Sequence, residues 1–378
     1  GGRPGEAGRG AGALGLLSRR LSVAGRFLKS RLAARQSGDL YLNVGHSGLD
    51  RPGFLAALAA SGLPIAVMIH DLIPITHPEF CAPAAGGRHL RRLEATLTHA
   101  RLIITNSRAT ADEVAAFARG HDLPLPTLCP APLGVEAAFL SPSSSPFSSP
   151  FSSPPGGSPA EGREGGGGSP AEGREGGRGE DPPTGVTGFT VNAAAAEPYF
   201  VVVGTIEARK NLAFLLTLWR RLDEAMGEAA PRLFLVGRRG WENEAVLDHL
   251  ERSQSARRLA IEAPGLSDAE LARLMAGARA LLAPSLAEGF DLPVAEARAL
   301  GVPVIGSDIP VHRELAPGAK LIDPLDGPGW LAAIEAASFT PLSQRCHPAA
   351  STWADHFSKV RGALGLPSGP AAPQPVGG

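Results

Sequence analysis

The stretch Ala283–Glu296, APSLAEGFDLPVAE, decides how this chain is read. Leu281–Ala283 is apolar and strand-like. Gly289 supplies a tight turn, Pro293 suits the first turn of a helix, and Val294–Leu300 continues with good helix formers. A strand that passes through a glycine turn into a helix leaves backbone N–H groups free at the positive end of the helix dipole. That arrangement receives phosphate. Two carboxylates flank it. Glu288 falls in the loop, and Glu296 lies one turn into the helix, where it can accept hydrogen bonds from sugar or ribose hydroxyls. The residues alone point to a nucleotide or phosphosugar site. The competing reading is an ordinary strand-to-helix turn with solvated acids.

Working outward, short apolar runs alternate with helical patterns on both sides of this stretch. Leu40–Val44, Ile65–Ile69 and Leu102–Thr105 read as strands, with helices at Phe54–Ala60, Arg88–His99 and Thr110–Ala118. In the second half, strands Tyr199–Val203, Leu233–Val236, Leu259–Glu262, Ala280–Leu282, Val304–Ile305 and Ala319–Ile322 alternate with helices Leu212–Met226, Asn243–Arg252, Asp268–Ala276 and Pro293–Leu300. Ser267 with Glu270 three residues on forms a capping-box pattern, and Thr352–Arg361 reads as a last helix. Such alternation implies parallel sheets covered on both faces.

Between the halves, Ser141–Asn192 is rich in Ser, Pro and Gly. The unit GGSPAEGREGG occurs at Gly156–Gly166 and again at Gly167–Gly177. Too few apolar residues are present there to offset chain entropy, so disorder is expected. The expected organisation is an N-terminal Rossmann-like domain over 1–140, a disordered insert or linker over 141–197, a nucleotide-binding domain over 198–366 and a disordered tail over 367–378. Leu14–Arg35 has the pattern of a basic amphipathic helix, either a membrane-surface element or a scaffold helix with a solvated basic face.

The chain has 378 residues, 43% of them hydrophobic, enough for two cores. A net charge of −1 gives no general pull toward nucleic acid. Cys81, Cys129 and Cys346 are scattered, with no disulfide framework or metal spacing, which favours a reducing, cytoplasmic setting. No Asp-x-Asp motif with the setting of a metal-dependent transferase is present.

Glu288-x7-Glu296 inside EGFDLPVAEA resembles the signature of the retaining family 4 glycosyltransferases, bacterial mannosyltransferase-like members in particular. Other segments agree in order and spacing: YFVVVGTIEARKNL at Tyr199–Leu212, LFLVGRRGW at Leu233–Trp241, VPVIGSDIPVHRE at Val302–Glu314, VMIHDLIPITHPEF at Val67–Phe80 and LIITNSRAT at Leu102–Thr110. The resemblance implies the GT-B fold, two Rossmann-like doubly wound domains facing across a cleft, and, in agreement with the lack of an Asp-x-Asp setting, no metal and no cofactor. The strand and glycine-rich loop with which such proteins begin are not apparent here, so the N-terminal domain is expected to be incomplete.

The resemblance also implies roles. Arg209 and Lys210 would bind the donor diphosphate, the guanidinium in bidentate fashion and the ammonium as a point charge. Two cations beginning a helix oppose its dipole, a local conflict that itself hints at function. Gly204, Thr205, Gly237 and Arg238 would lie by the nucleotide. Backbone N–H groups of Gly289, Phe290, Asp291 and Leu292 would line the sugar and phosphate. Glu296 would hold the ribose and Glu288 the donor sugar hydroxyls. His70, at the end of its strand, would face the cleft, with His46 and His77 as weaker neighbours. Asp291 departs from the pattern, which often has Gly there. No side-chain nucleophile stands out in the first half, which favours same-face attack by the acceptor.

The function implied is metal-independent, retaining transfer of a hexose, with mannose as the leading candidate, from a nucleoside-diphosphate sugar. The acceptor is a glycan or lipid-linked glycan in surface polysaccharide synthesis. Peripheral contact with the inner face of the membrane would run through the basic N-terminal helix. The alternative is a catalytically silent or truncated GT-B scaffold.

Overall fold

A computed structural model describes residues 39–140, 197–240, 243–340 and 349–366. The basic helix expected over Leu14–Arg35, the stretch before residue 39 in which a first strand was not apparent, the repeats at 156–177, the tail from 367 and Trp241 lie outside the described residues. The chain divides into two compact units; of the described residues the first holds 39–106, 110–131 and 359–366, the second 107–109 and those between 132 and 358.

In the first unit, β1 (Tyr41–Asn43), α1 (Phe54–Ala60), β2 (Ile65–Ile69), α2 (Ile73–Thr76), α3 (Ala85–His99), β3 (Leu102–Thr105), α4 (Arg108–Gly120) and β4 (Thr127–Pro130) follow in order. Among the described residues the strands form one parallel sheet in the order β1-β2-β3-β4. β2 is buried at all five positions, as a central parallel strand covered on both faces must be. Its core gathers Ile65, Val67, Ile69, Leu93, Leu97, Ile103 and Val114.

The second unit continues with α5 (Ala137–Leu140), β5 (Tyr199–Val203), α6 (Leu212–Met226), β6 (Arg232–Val236), α7 (Glu244–Arg252), α8 (Gln254–Leu259), β7 (Ala260–Glu262), α9 (Asp268–Gly277), β8 (Leu281–Ala283), α10 (Leu292–Ala299), β9 (Val304–Ser307), α11 (Pro310–Leu315), β10 (Lys320–Ile322), α12 (Gly327–Ser338) and α13 (Trp353–Ala363). Its parallel sheet runs β10-β9-β8-β5-β6-β7 among the described residues. Successive residues of β5 enter opposite cores: Tyr199 and Val201 join one cluster, Phe200 and Val202 the other. The second cluster is closed by Leu212, Leu215, Leu216, Trp219 and Leu222 of α6, at the spacing of one helical stripe.

Strand order reverses between β5 and β8, the switch point outside which open α/β sheets bind ligands. Two glycines make the crossing at β5 and β6 close. A Cβ on Gly237 would stand 2.0 Å from the Gly204 carbonyl oxygen, while the Gly204 N–H donates to the Val236 carbonyl at 2.9 Å. Gly237→Ala is therefore expected to destabilise the fold by about 3 kcal/mol or more, since backbone and not a movable side chain blocks the methyl. Chemical denaturation of the variant checks this.

The capping box appears as expected, with Ser267 and Glu270 reciprocally bonded at the start of α9. The sequence did not reveal α12. Its GPG opening argues against a helix, but Asp326 accepts from the Gly329 N–H and caps it.

Candidate active site

The loop after β5 and the loop after β8 meet in the second unit. The Leu286 N–H donates to the Arg209 carbonyl at 2.8 Å, fixing the basic pair beside the signature. Lys210 is 7% exposed, its stem lying against the space that a side chain at Gly204 would need. Its Nζ sits 2.7 Å from Glu288 Oε1 and 3.7 Å from Asp291 Oδ1. Glu288 Oε1 has no hydrogen bond besides this ionic contact. Arg209 places Nη1 2.5 Å from Glu288 Oε2 and Nη2 2.7 Å from Glu207 Oε1, and Nη1 also donates to the Ala287 carbonyl at 3.2 Å. Burial opposes the charge on Lys210 but is outweighed by Asp291 and then Glu288, so its pKa is raised. Arg209 is likewise raised, Glu288 outweighing burial. Both cations are held charged, and held by carboxylates.

The signature loop differs from the sequence reading in one respect. The left-handed residue is Asp291, at φ 66° and ψ 70°, so the turn assigned to Gly289 is completed two residues later by a residue with a Cβ. Nor does Asp291 cap α10 with its side chain. The buried carboxylate instead reaches His312 Nε2 at 2.9 Å. Burial would raise the Asp291 pKa, but Lys210, His312 and Arg209 overcome it and hold it below the ordinary carboxylate range. The backbone N–H groups of Phe290, Asp291 and Leu292 make no hydrogen bond among the described residues. They remain available to an anion at the start of α10, while the Phe290 side chain is buried in the core.

Glu296 occupies the first turns of α10 and is 6% exposed, and its carboxyl group has no ion pair or hydrogen bond among the described residues. Burial, then Asp268, Asp291 and Glu136, push its pKa up to about 7. Thr205 and Arg238 are exposed on the paired loops, and the Arg238 side chain has no ion pair among the described residues. The Ile206 N–H donates to the Arg238 carbonyl at 2.9 Å, keeping Gly204, Thr205, Gly237 and Arg238 together. A separate groove of ≈ 760 Å³ lies along β10 and α12. No predicted site residue lines it.

The structure thus brings Arg209, Lys210, Glu288 and Asp291 into direct contact, with Gly204, Gly237 and Glu296 on the same unit. His70 belongs to the first unit. There its Nε2 donates to the Val44 carbonyl at 2.8 Å, and its ring lies 5.3 Å from that of His46, which lies 5.5 Å from His89. The Nε2 atoms of His46 and His89 face the Met68 and Asp71 carbonyls. Burial lowers the pKa of both rings. His77 instead stacks on Phe80 and contacts Thr76. No group of His, Cys, Asp and Glu that could hold a metal ion occurs among the described residues. No helix there is long and apolar enough to cross a membrane.

The sequence reading missed His312, which is fully buried. A histidine two residues after Pro310 at the start of a short helix, directly after the apolar Val311, was the available signal.

Comparison with known proteins bears on the fold and on the family. The fold class is GT-B. A structure of Anabaena HepE in complex with UDP aligns with a TM-score of 0.58 over 86% of this chain and 78% of that one, at 15% identity. An Escherichia coli structure described as trehalose-6-phosphate bound with UDP-2-fluoro glucose aligns at 0.58 over 91% of this chain and 73% of its own, at 13% identity. Residues 197–337 match the family model described as glycosyl transferases group 1, so this segment is a group 1 glycosyltransferase domain, and the likeness to bacterial mannosyltransferases holds. The serotype-specific mannosyltransferase WbdA of Escherichia coli is 27% identical over 69% of this chain and 28% of its own length. The O-antigen chain mannosyltransferase B of Escherichia coli is 37% identical over 35% of this chain and 34% of its own. The chain therefore spans little more than a quarter of WbdA.

Proposed function

We propose that this chain moves a hexose, by analogy with its relatives mannose, from a nucleoside-diphosphate sugar to a glycan or lipid-linked acceptor of a surface polysaccharide. Transfer would retain the anomeric configuration and need no divalent metal. One observation carries the reading: a buried lysine and an arginine stand at the carboxyl end of β5, beside the signature loop with its unpaired N–H groups, at the switch point of the sheet.

The chemistry follows from charge. The bond from the anomeric carbon to the diphosphate breaks as the bond to the acceptor oxygen forms on the same face. The acceptor proton passes to a leaving phosphate oxygen. Negative charge therefore grows on the diphosphate, where Arg209, Lys210 and the N–H groups of Phe290 to Leu292 would stabilise it without reorganisation. Before the donor arrives, Glu288 stands in for that anion. Once phosphate takes the cations, Glu288 is released to the sugar hydroxyls and Glu296 accepts from the ribose. The resemblance assigns His70 to the transferred sugar.

Thermal-shift titration with GDP-, UDP- and ADP-sugars, with and without magnesium, tests this. One nucleotide is expected to stabilise the protein equally with and without metal, and Glu296→Ala should lose the shift. A folded protein that responds to none of them would overturn the reading.

A further inference from the structure

His312 was assigned no role toward the donor, yet both of its ring nitrogens are held by hydrogen-bonding partners. Its Nδ1 faces the Ser307 carbonyl at 2.9 Å and its Nε2 faces Asp291 Oδ2 at 2.9 Å. A carbonyl only accepts, so Nδ1 carries a proton. The Nε2 contact then needs a second proton, whether it resides on the ring or on the carboxyl. Either way the pair holds one proton more than a neutral imidazole beside an ionised carboxylate, and its net charge is zero rather than −1.

That proton matters because of what lies around it. Asp291, from the start of α10, faces Lys210 across 3.7 Å. Lys210 in turn faces Glu288, which faces Arg209, which faces Glu207. Glu296 on α10 feels the Asp291 charge. On the other side of the ring, β9 offers the Ser307 carbonyl, and Gly306 leaves room for Nδ1 at what would otherwise be a Cβ contact of 3.3 Å. Arg313, next to His312, is turned outward to Asp308. Two cations thus meet three carboxylates, and only a compensated Asp291 keeps the cradle from a net negative charge.

We infer that His312 is a positioning residue of the anion site: by neutralising the left-handed Asp291, it leaves the Lys210 charge available to the diphosphate. The inference rests on the donor-site reading above and adds a residue to it. Asp291 holds Lys210 in place from below, and His312 prevents it from cancelling the lysine.

Calorimetric titration of the full chain with inorganic pyrophosphate at fixed pH, in a charge-swap cycle, tests this. His312→Gln keeps a donor toward Asp291 but no extra proton, and should bind about tenfold more weakly. Adding Asp291→Asn to it removes the uncompensated charge and should bind more tightly than His312→Gln alone. A merely structural histidine would show no such rescue. Asp291→Asn alone removes the carboxylate and its compensating proton together, so it should not bind pyrophosphate tenfold more tightly than wild type, and this reads the proposal if His312→Gln does not fold. A tenfold gain in that single variant would mean Asp291 was never compensated, and would overturn the inference, as would His312→Gln binding like wild type. Nitrogen-15 spectra of histidine-labelled protein should show Nδ1 of His312 protonated; a bare Nδ1 also overturns it. If wild-type protein binds no pyrophosphate, the donor-site reading itself fails and this one with it.

Discussion

Lys210→Ala is expected to lower sugar transfer by about 10²–10³-fold with a smaller change in acceptor affinity, because it removes a preorganised cation from the place where leaving-group charge develops. The protein should also be less stable, since Glu288 and Asp291 are buried and lose a partner. Breaking a buried ionic contact costs about 3–5 kcal/mol when the remaining charge is stranded. Here each carboxylate keeps a second partner, Arg209 for Glu288 and His312 for Asp291, so the low end of that range applies. Lys210→Arg should not rescue turnover. The lysine stem runs 3.0 Å from where a Cβ on Gly204 would be, and a planar guanidinium needs a wider channel than an ammonium. Initial rates and melting curves of both variants are the measurements. Wild-type turnover in Lys210→Ala would remove the phosphate role from this residue.

The same site shows where the sequence was readable and where it was not. Strand ends, glycine turns and the Ser267 capping box are local properties. Apolar alternation and residue spacing reveal them, and β5, β8 and α10 stand where they were expected to within a residue or two. The pairing of Arg209 and Lys210 with Glu288 is not local. It joins residues far apart in the chain, as the Arg209 bond to Ala287, 78 residues on, does, and spacing alone treats these charges as separate roles. What they form without a ligand is a closed ion network. The Asp291–His312 contact escaped for the same reason, compounded by conformation. An acid before a helix suggests a cap, but the left-handed backbone at Asp291 turns its carboxylate away from the helix N–H groups and toward α11. β4 was hidden in Thr127–Pro130, a run ending in proline at an edge of its sheet, where a missing N–H is tolerated.

Glu296→Gln is expected to remove a pH dependence from folding stability and to weaken nucleotide binding at the same time. The carboxyl is buried without a partner, and its pKa is raised from 4.5 to about 7. Between those values the folded state binds more protons than the unfolded one. Stability from this group is therefore complete below the unfolded pKa and is lost as pH rises through about 7. The shift corresponds to about 3 kcal/mol for a buried group. Glutamine cannot ionise, so Glu296→Gln should equal wild type near pH 4 and exceed it by up to about 3 kcal/mol near pH 8, the gap opening between the two pKa values. A nucleotide reverses the preference. Ribose hydroxyls donate to an ionised carboxylate more strongly than to a neutral acid, so donor binding near pH 6 should release a proton from wild type and none from the variant. Denaturation at several pH values reads the first effect, and calorimetry in buffers of different ionisation enthalpy reads the second. A variant destabilised at pH 8 would mean that Glu296 has a partner in the folded protein and is not held in reserve for the ligand.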